Sequence, residues 1–147
     1  MNSYNHATRG TYQKEDLGRQ LVSFEGLLFK GRTGFQNVTP TDIDGLVQLD
    51  NENCFIFFEL KHSGGMPRGQ AEALEKLCDA VQAGGTDCVV ILAEHNVEYP
   101  ETIIAKDSIV KGLYMNGKWY RGTKGRTLKE IALGYIDYIK KERGDAT

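Results

Sequence analysis

The sequence predicts an α/β domain whose central sheet is covered by helices on both faces. Two apolar strands predict it, together with the helical period around them. Cys54-Phe55-Ile56-Phe57-Phe58-Glu59-Leu60-Lys61 is apolar on both faces until its last residues, and Asp87-Cys88-Val89-Val90-Ile91-Leu92-Ala93 is a second run of that kind. Strands apolar on both sides belong inside a sheet with both faces covered. A segment of helical period lies between them and another closes the chain.

From the amino terminus, Leu17, Leu21, Phe24 and Leu28 suggest a first helix. Next comes a hairpin: Ile43 to Leu49, a polar turn Asp50-Asn51-Glu52-Asn53, and the strand Cys54 to Lys61. Pairing Leu49 with Cys54 sets Asp44 opposite Glu59 and Asp42 opposite Lys61. Opposed residues share a face with Cβ atoms ~4.5–5.5 Å apart. Alternation also puts Glu59 and Lys61 on one face, so Asp44, Glu59 and Lys61 are expected to cluster. Charge enters this strand only at its carboxyl end, where open α/β sheets place ligand sites.

A helix is predicted from Met66-Pro67-Arg68 to the stop at Gly84-Gly85. Leu74, Leu77, Cys78 and Val81 form its inward stripe, and one turn back the stripe reaches Gln70. After the second apolar strand and a polar loop, Ser108 to Met115 and Lys118 to Arg121 are expected to form a hairpin at Asn116-Gly117. Thr127-Leu128-Lys129-Glu130 is a capping box. It opens a last helix with Leu128, Ile131, Ala132, Tyr135 and Ile139 inward and Arg143-Gly144 at its end.

The chemistry of the trio is that of a metal-assisted phosphodiesterase. Mg²⁺ takes oxygen ligands and keeps several waters, so one or two carboxylates plus a substrate phosphate hold it. Asp44 and Glu59 suit that role, and Lys61 can orient water or neutralise charge developing on the phosphorus. The competing reading is a solvated pair of charges ending an ordinary hairpin.

The order Asp44-Gly45, Glu59-x-Lys61 and helical Gln70 resembles the PD-(D/E)xK nuclease superfamily, and looks closest to its small Holliday-junction-resolvase-like and phage-exonuclease-like members. The resemblance covers about Lys14 to Val90. It implies a restriction-endonuclease-like core of a helix, a mixed sheet of about four strands and a second helix. It also implies Asp44 and Glu59 as metal ligands, Lys61 as catalytic lysine and Gln70 as accessory residue. The implied activity is hydrolysis of DNA by a Mg²⁺-dependent nuclease, Mn²⁺ being able to substitute, that attacks in line and leaves a 5′-phosphate. A junction-resolving or recombination and repair enzyme acting as a homodimer is one form of it. The usual Pro-Asp pair is absent, since Pro40 precedes Thr41-Asp42, so Asp42 stands as the alternative to Asp44. Many members add a glutamate from the first helix, for which Glu25 and Glu15 compete.

With 147 residues and 40% hydrophobic content, the chain fits one domain, with a core at about 14–93 and a carboxyl-terminal hairpin and helix at about 108–143. It has neither a membrane-length apolar run nor a signal peptide, so a cytoplasmic protein is expected, and the sequon at Asn37 goes unused. Cys54, Cys78 and Cys88 are odd in number and lie in core segments, which points to reduced thiols. A net charge of −2 argues against an electrostatic coat for nucleic acid. Positive charge is nonetheless uneven: Lys30-Gly31-Arg32, Lys61-His62 and Arg68 flank the site, and Lys118, Arg121, Lys124, Arg126 and Lys129 form a basic stretch. The last is equally a solvated surface.

Gly112 to Lys118 matches most of a nucleotide-binding G-x-x-x-x-G-K loop, but Trp119 replaces its hydroxyl residue and no helix follows, so a plain hairpin is expected. Strand alternation turns His62 away from the trio, and His6 and His95 are read as loop residues. Two readings besides the nuclease stand: a catalytically inactive nucleic-acid-binding module on the same fold, and an interaction protein in which Glu59 and Lys61 form only a salt bridge.

Overall fold

The computed structural model describes residues 25–30, 37–38, 40, 42–62 and 66–144. The chain divides into two compact units, Met1–Pro40 and Thr41–Thr147. In the first, β1 (Phe29–Lys30) pairs antiparallel with β2 (Asn37–Val38). Leu17, Leu21, Phe24 and Glu15 of the expected first helix lie outside the described residues. Its carboxyl-terminal part is corrected: Glu25 and Gly26 form a turn and Leu28 is exposed. Gly26 is at φ +79°, a left-handed conformation that a helix does not continue through.

The second unit is an α/β layer structure with a five-stranded mixed sheet flanked by two helices. Its strands are β3 (Gly45–Leu49), β4 (Cys54–Lys61), β5 (Asp87–Glu94), β6 (Ile109–Met115) and β7 (Lys118–Tyr120), adjacent in that order. Only β4 and β5 run parallel, joined through α1 (Arg68–Ala83); the other neighbours are antiparallel. The β3–β4 register is the expected one, from Leu49 opposite Cys54 to Gly45 opposite Phe58.

Alternation along the apolar strands divides the core into two layers. Cys54, Ile56, Val89, Ile91, Ala93 and Val110 pack against Leu128, Tyr135 and Ile139 of α2 (Leu128–Glu142). On the other face Phe57, Cys88, Val90 and Tyr114 pack against Leu74 and Cys78 of α1. Leu77, expected inward, is 38% exposed, because the buried stripe of α1 runs through Ala71, Leu74 and Cys78 and leaves it on the flank. All three cysteines are buried free thiols.

The ends of the elements follow local chemistry. Gly84 caps α1, and Gly85 follows at φ +93°. Thr127 and Glu130 form the capping box of α2. Asn116 and Gly117, at φ 54° and 81°, turn β6 into β7, so the G-K resemblance is a hairpin. A 3-10 turn at Ala105–Asp107, which the sequence reading did not anticipate, leads into β6. Among the described residues no helix is long and apolar enough to cross a membrane.

Candidate metal and phosphate site at one edge of the sheet

Two antiparallel steps from β5 through β6 return β7 to the direction of β4. The carboxyl ends of β4, β5 and β7 therefore share one edge with the amino end of β3. Charge enters β4 there. Glu59 sits on the α1 face of β4, next to Phe57 in the alternation, and is only 1% exposed. A carboxylate that far from water needs partners.

Gln70, in the first turn of α1, donates from Nε2 to Glu59 Oε1 at 2.6 Å. Glu59 Oε2 is buried without a hydrogen-bond partner among the described residues. Asp44, one residue before the β3–β4 ladder begins, folds its side chain back across β4, and its Oδ2 accepts from the Leu60 backbone N–H at 2.7 Å. That bond fixes the Asp44 carboxyl beside Glu59. Burial, then the Asp44 carboxyl, push the Glu59 pKa up to about 8, while the Lys61 ammonium acts in the opposite direction and Asp42 adds the weakest push. Lys61 is half-buried at the strand end and makes no ion pair with a described residue.

Asp44, Glu59, Lys61 and Gln70 are thus brought together as the sequence reading expects. Asp42 lies within electrostatic reach of Glu59, but it acts more weakly than Asp44 or Lys61. Glu15 is outside the described residues, and Glu25 belongs to the other unit. Among the described residues no three His, Cys, Asp or Glu side chains are gathered closely enough to hold a metal ion by themselves.

His62, just past the end of β4, is engaged elsewhere. Its Nε2 lies 2.8 Å from Glu98 Oε1 and its ring packs edge-on against His95 at 5.5 Å. Beside the site, on the α1 face, Trp119 Nε1 donates to Glu75 Oε2 at 3.1 Å, and Arg68 pairs with both Glu72 and Glu75. The Arg121 guanidinium lies over the Trp119 ring, 5.2 Å from its centroid. The basic stretch is visible in the sequence, but that Arg121 follows β7 at the same end of the sheet as the carboxyl end of β4 follows from strand order, which local pattern does not encode. No family model, curated protein or solved structure matches the chain.

Proposed function

We propose that this chain is a divalent-metal-dependent deoxyribonuclease that hydrolyses a phosphodiester bond at the Asp44–Glu59–Lys61 cluster. The observation that carries the reading is Glu59: a buried carboxyl with one oxygen held by Gln70, the other without a partner among the described residues, and a second carboxyl beside it. A buried carboxylate beside the exposed Asp44 carboxylate is repelled by it unless a proton or a cation intervenes. The donor set is hard oxygen, which fits Mg²⁺ or Mn²⁺, with water and substrate phosphate supplying the remaining ligands. When bound by Asp44 and Glu59, the ion would offset their charge, polarise the phosphate and lower the pKa of a bound water.

The protein's own groups do the rest. Gln70 fixes the Glu59 carboxyl, and the Leu60 N–H fixes that of Asp44, so neither has to reorganise when substrate arrives. Lys61, at the open end of the strand with no ion-paired partner among the described residues, is free to hold a non-bridging phosphate oxygen and to meet the charge that grows there. In this reading the sheet is a restriction-endonuclease-like core, and a homodimeric junction-resolving or repair enzyme is one form the activity takes.

The test is cleavage of branched, linear and single-stranded DNA with Mg²⁺ or Mn²⁺. Lys61→Ala and Asp44→Asn are each expected to lower the rate by about 10²–10³-fold. Unchanged rates in both would remove the mechanism. One observation favours a second reading, a non-catalytic nucleic-acid-binding module: Asp44 Oδ2 already caps the end of β4 through Leu60 N–H, a structural role. Binding without cleavage of any substrate would favour that alternative.

A further inference from the structure

We infer that Arg121 binds a backbone phosphate away from the scissile bond and so positions the nucleic-acid strand across the sheet edge. This rests on the phosphodiesterase reading. The registers align one row across the sheet: Glu59 opposes Leu92, and Leu92 opposes Gly112. The β6–β7 pairing ends with Leu113 opposite Tyr120, so Arg121, one step further, falls beside Gly112.

Gly112 and Arg121 both belong to the α1 face, by alternation from Tyr114 and Trp119. A Cβ at Gly112 would lie 3.2 Å from Arg121 Nη1 and 3.3 Å from Trp119 Cε3. The guanidinium therefore occupies the space that a side chain on β6 would fill, and leans from β7 back toward Glu59. Two strand spacings separate β4 from β6, so the charge sits roughly 10 Å from the carboxylates.

The side chain is held, yet no described residue supplies it with a counter-ion. Its guanidinium carbon lies over the Trp119 ring, 5.2 Å from the centroid, and the Glu75 carboxylate fixes that ring through Nε1. Arg68 and Arg143 pair with carboxylates, whereas Arg121 has none within ion-pair distance among the described residues. A guanidinium held over a ring with no ion pair among the described residues suits the planar, bidentate recognition of a phosphate.

Binding of the full-length protein to labelled duplex DNA, measured with a chelator present and over a series of salt concentrations, tests this. Arg121→Ala is expected to weaken binding about tenfold and to reduce the slope of log K against log salt by about 0.9, the loss of one phosphate contact. Arg121→Lys is expected to keep the wild-type slope. Weaker binding at an unchanged slope would assign Arg121 to packing of Trp119 and overturn the inference, as would wild-type affinity and slope in Arg121→Ala. In either case wild-type cleavage of DNA would leave the phosphodiesterase reading standing. A wild-type protein that neither binds nor cleaves DNA would overturn both.

Discussion

Gln70 does for Glu59 Oε1 what water does for an exposed carboxylate. Removing it leaves a polar atom buried with nothing to bond, which costs about 1–3 kcal/mol. Gln70→Ala is therefore expected to lower the free energy of unfolding by that amount and to reduce cleavage, because Glu59 is no longer held in one orientation. A denaturation midpoint identical to wild type would mean that the contact contributes nothing. The Glu59 proton gives a second residue-scale expectation. In metal-free protein its pKa is about 8, above the ordinary carboxyl value of 4.5, so between those values the folded state holds a proton that the unfolded chain has released. Stability from this group is complete below about pH 4.5 and is lost as pH rises toward 8, by up to about 1.4 kcal/mol per pH unit. Glu59→Gln removes that slope. Parallel stability curves for wild type and Glu59→Gln with chelator present, from pH 5 to pH 8.5, would contradict the burial argument.

The hairpin that carries the site depends on Gly45. A Cβ there would lie 1.9 Å from Phe58 Cζ, so the Phe58 ring lies across the space where a side chain of β3 would stand. Gly45→Val is expected to displace that ring, cost about 1–3 kcal/mol as overpacking does, and shift the start of β3 where Asp44 turns toward Leu60. Loss of cleavage greater than the loss of stability would show that Asp44 has moved. Thr127→Ala is the contrasting change: it removes the cap of α2, far along the chain from Asp44 and Glu59, and is expected to cost about 1 kcal/mol without altering cleavage by the folded protein. Elements such as these were legible because their signals are local. The register followed from the length of the Asp50–Asn53 turn, and the α2 cap from four consecutive residues. Leu77 and Leu28 misled for the same reason, since a helical period says neither how wide the covered stripe is nor where a turn interrupts it. Gln70 came from extending that period one turn, but its bond to Glu59 depends on how α1 settles against β4. The position of Arg121 relative to Glu59 depends on three registers at once, none of them written in a short stretch of sequence.

Under the proposed function, strand order makes the second unit respond to a metal ion as one body. The cluster lies at the end of β4, which is paired on both sides within the sheet, so an ion bound there is tied to the fold as a whole. A ligand that binds only the folded state stabilises it by an amount that grows with concentration, about 2.7 kcal/mol at one hundred times its dissociation constant. The ion must also displace the Glu59 proton. Below a pKa of about 8 its apparent affinity is expected to fall about tenfold for each pH unit, and above that value to level off. Thermal unfolding of the full-length protein in a Mg²⁺ or Mn²⁺ titration should therefore shift upward more at pH 8.5 than at pH 6.5. Glu59→Gln and Asp44→Asn should each shrink the shift at both values, since each removes one of the two anionic ligands. A shift of equal size in Glu59→Gln would place the ion elsewhere on the protein. No shift at either pH, in a wild type that still unfolds cooperatively, would leave the paired carboxyls with a proton as their sole means of sharing the site.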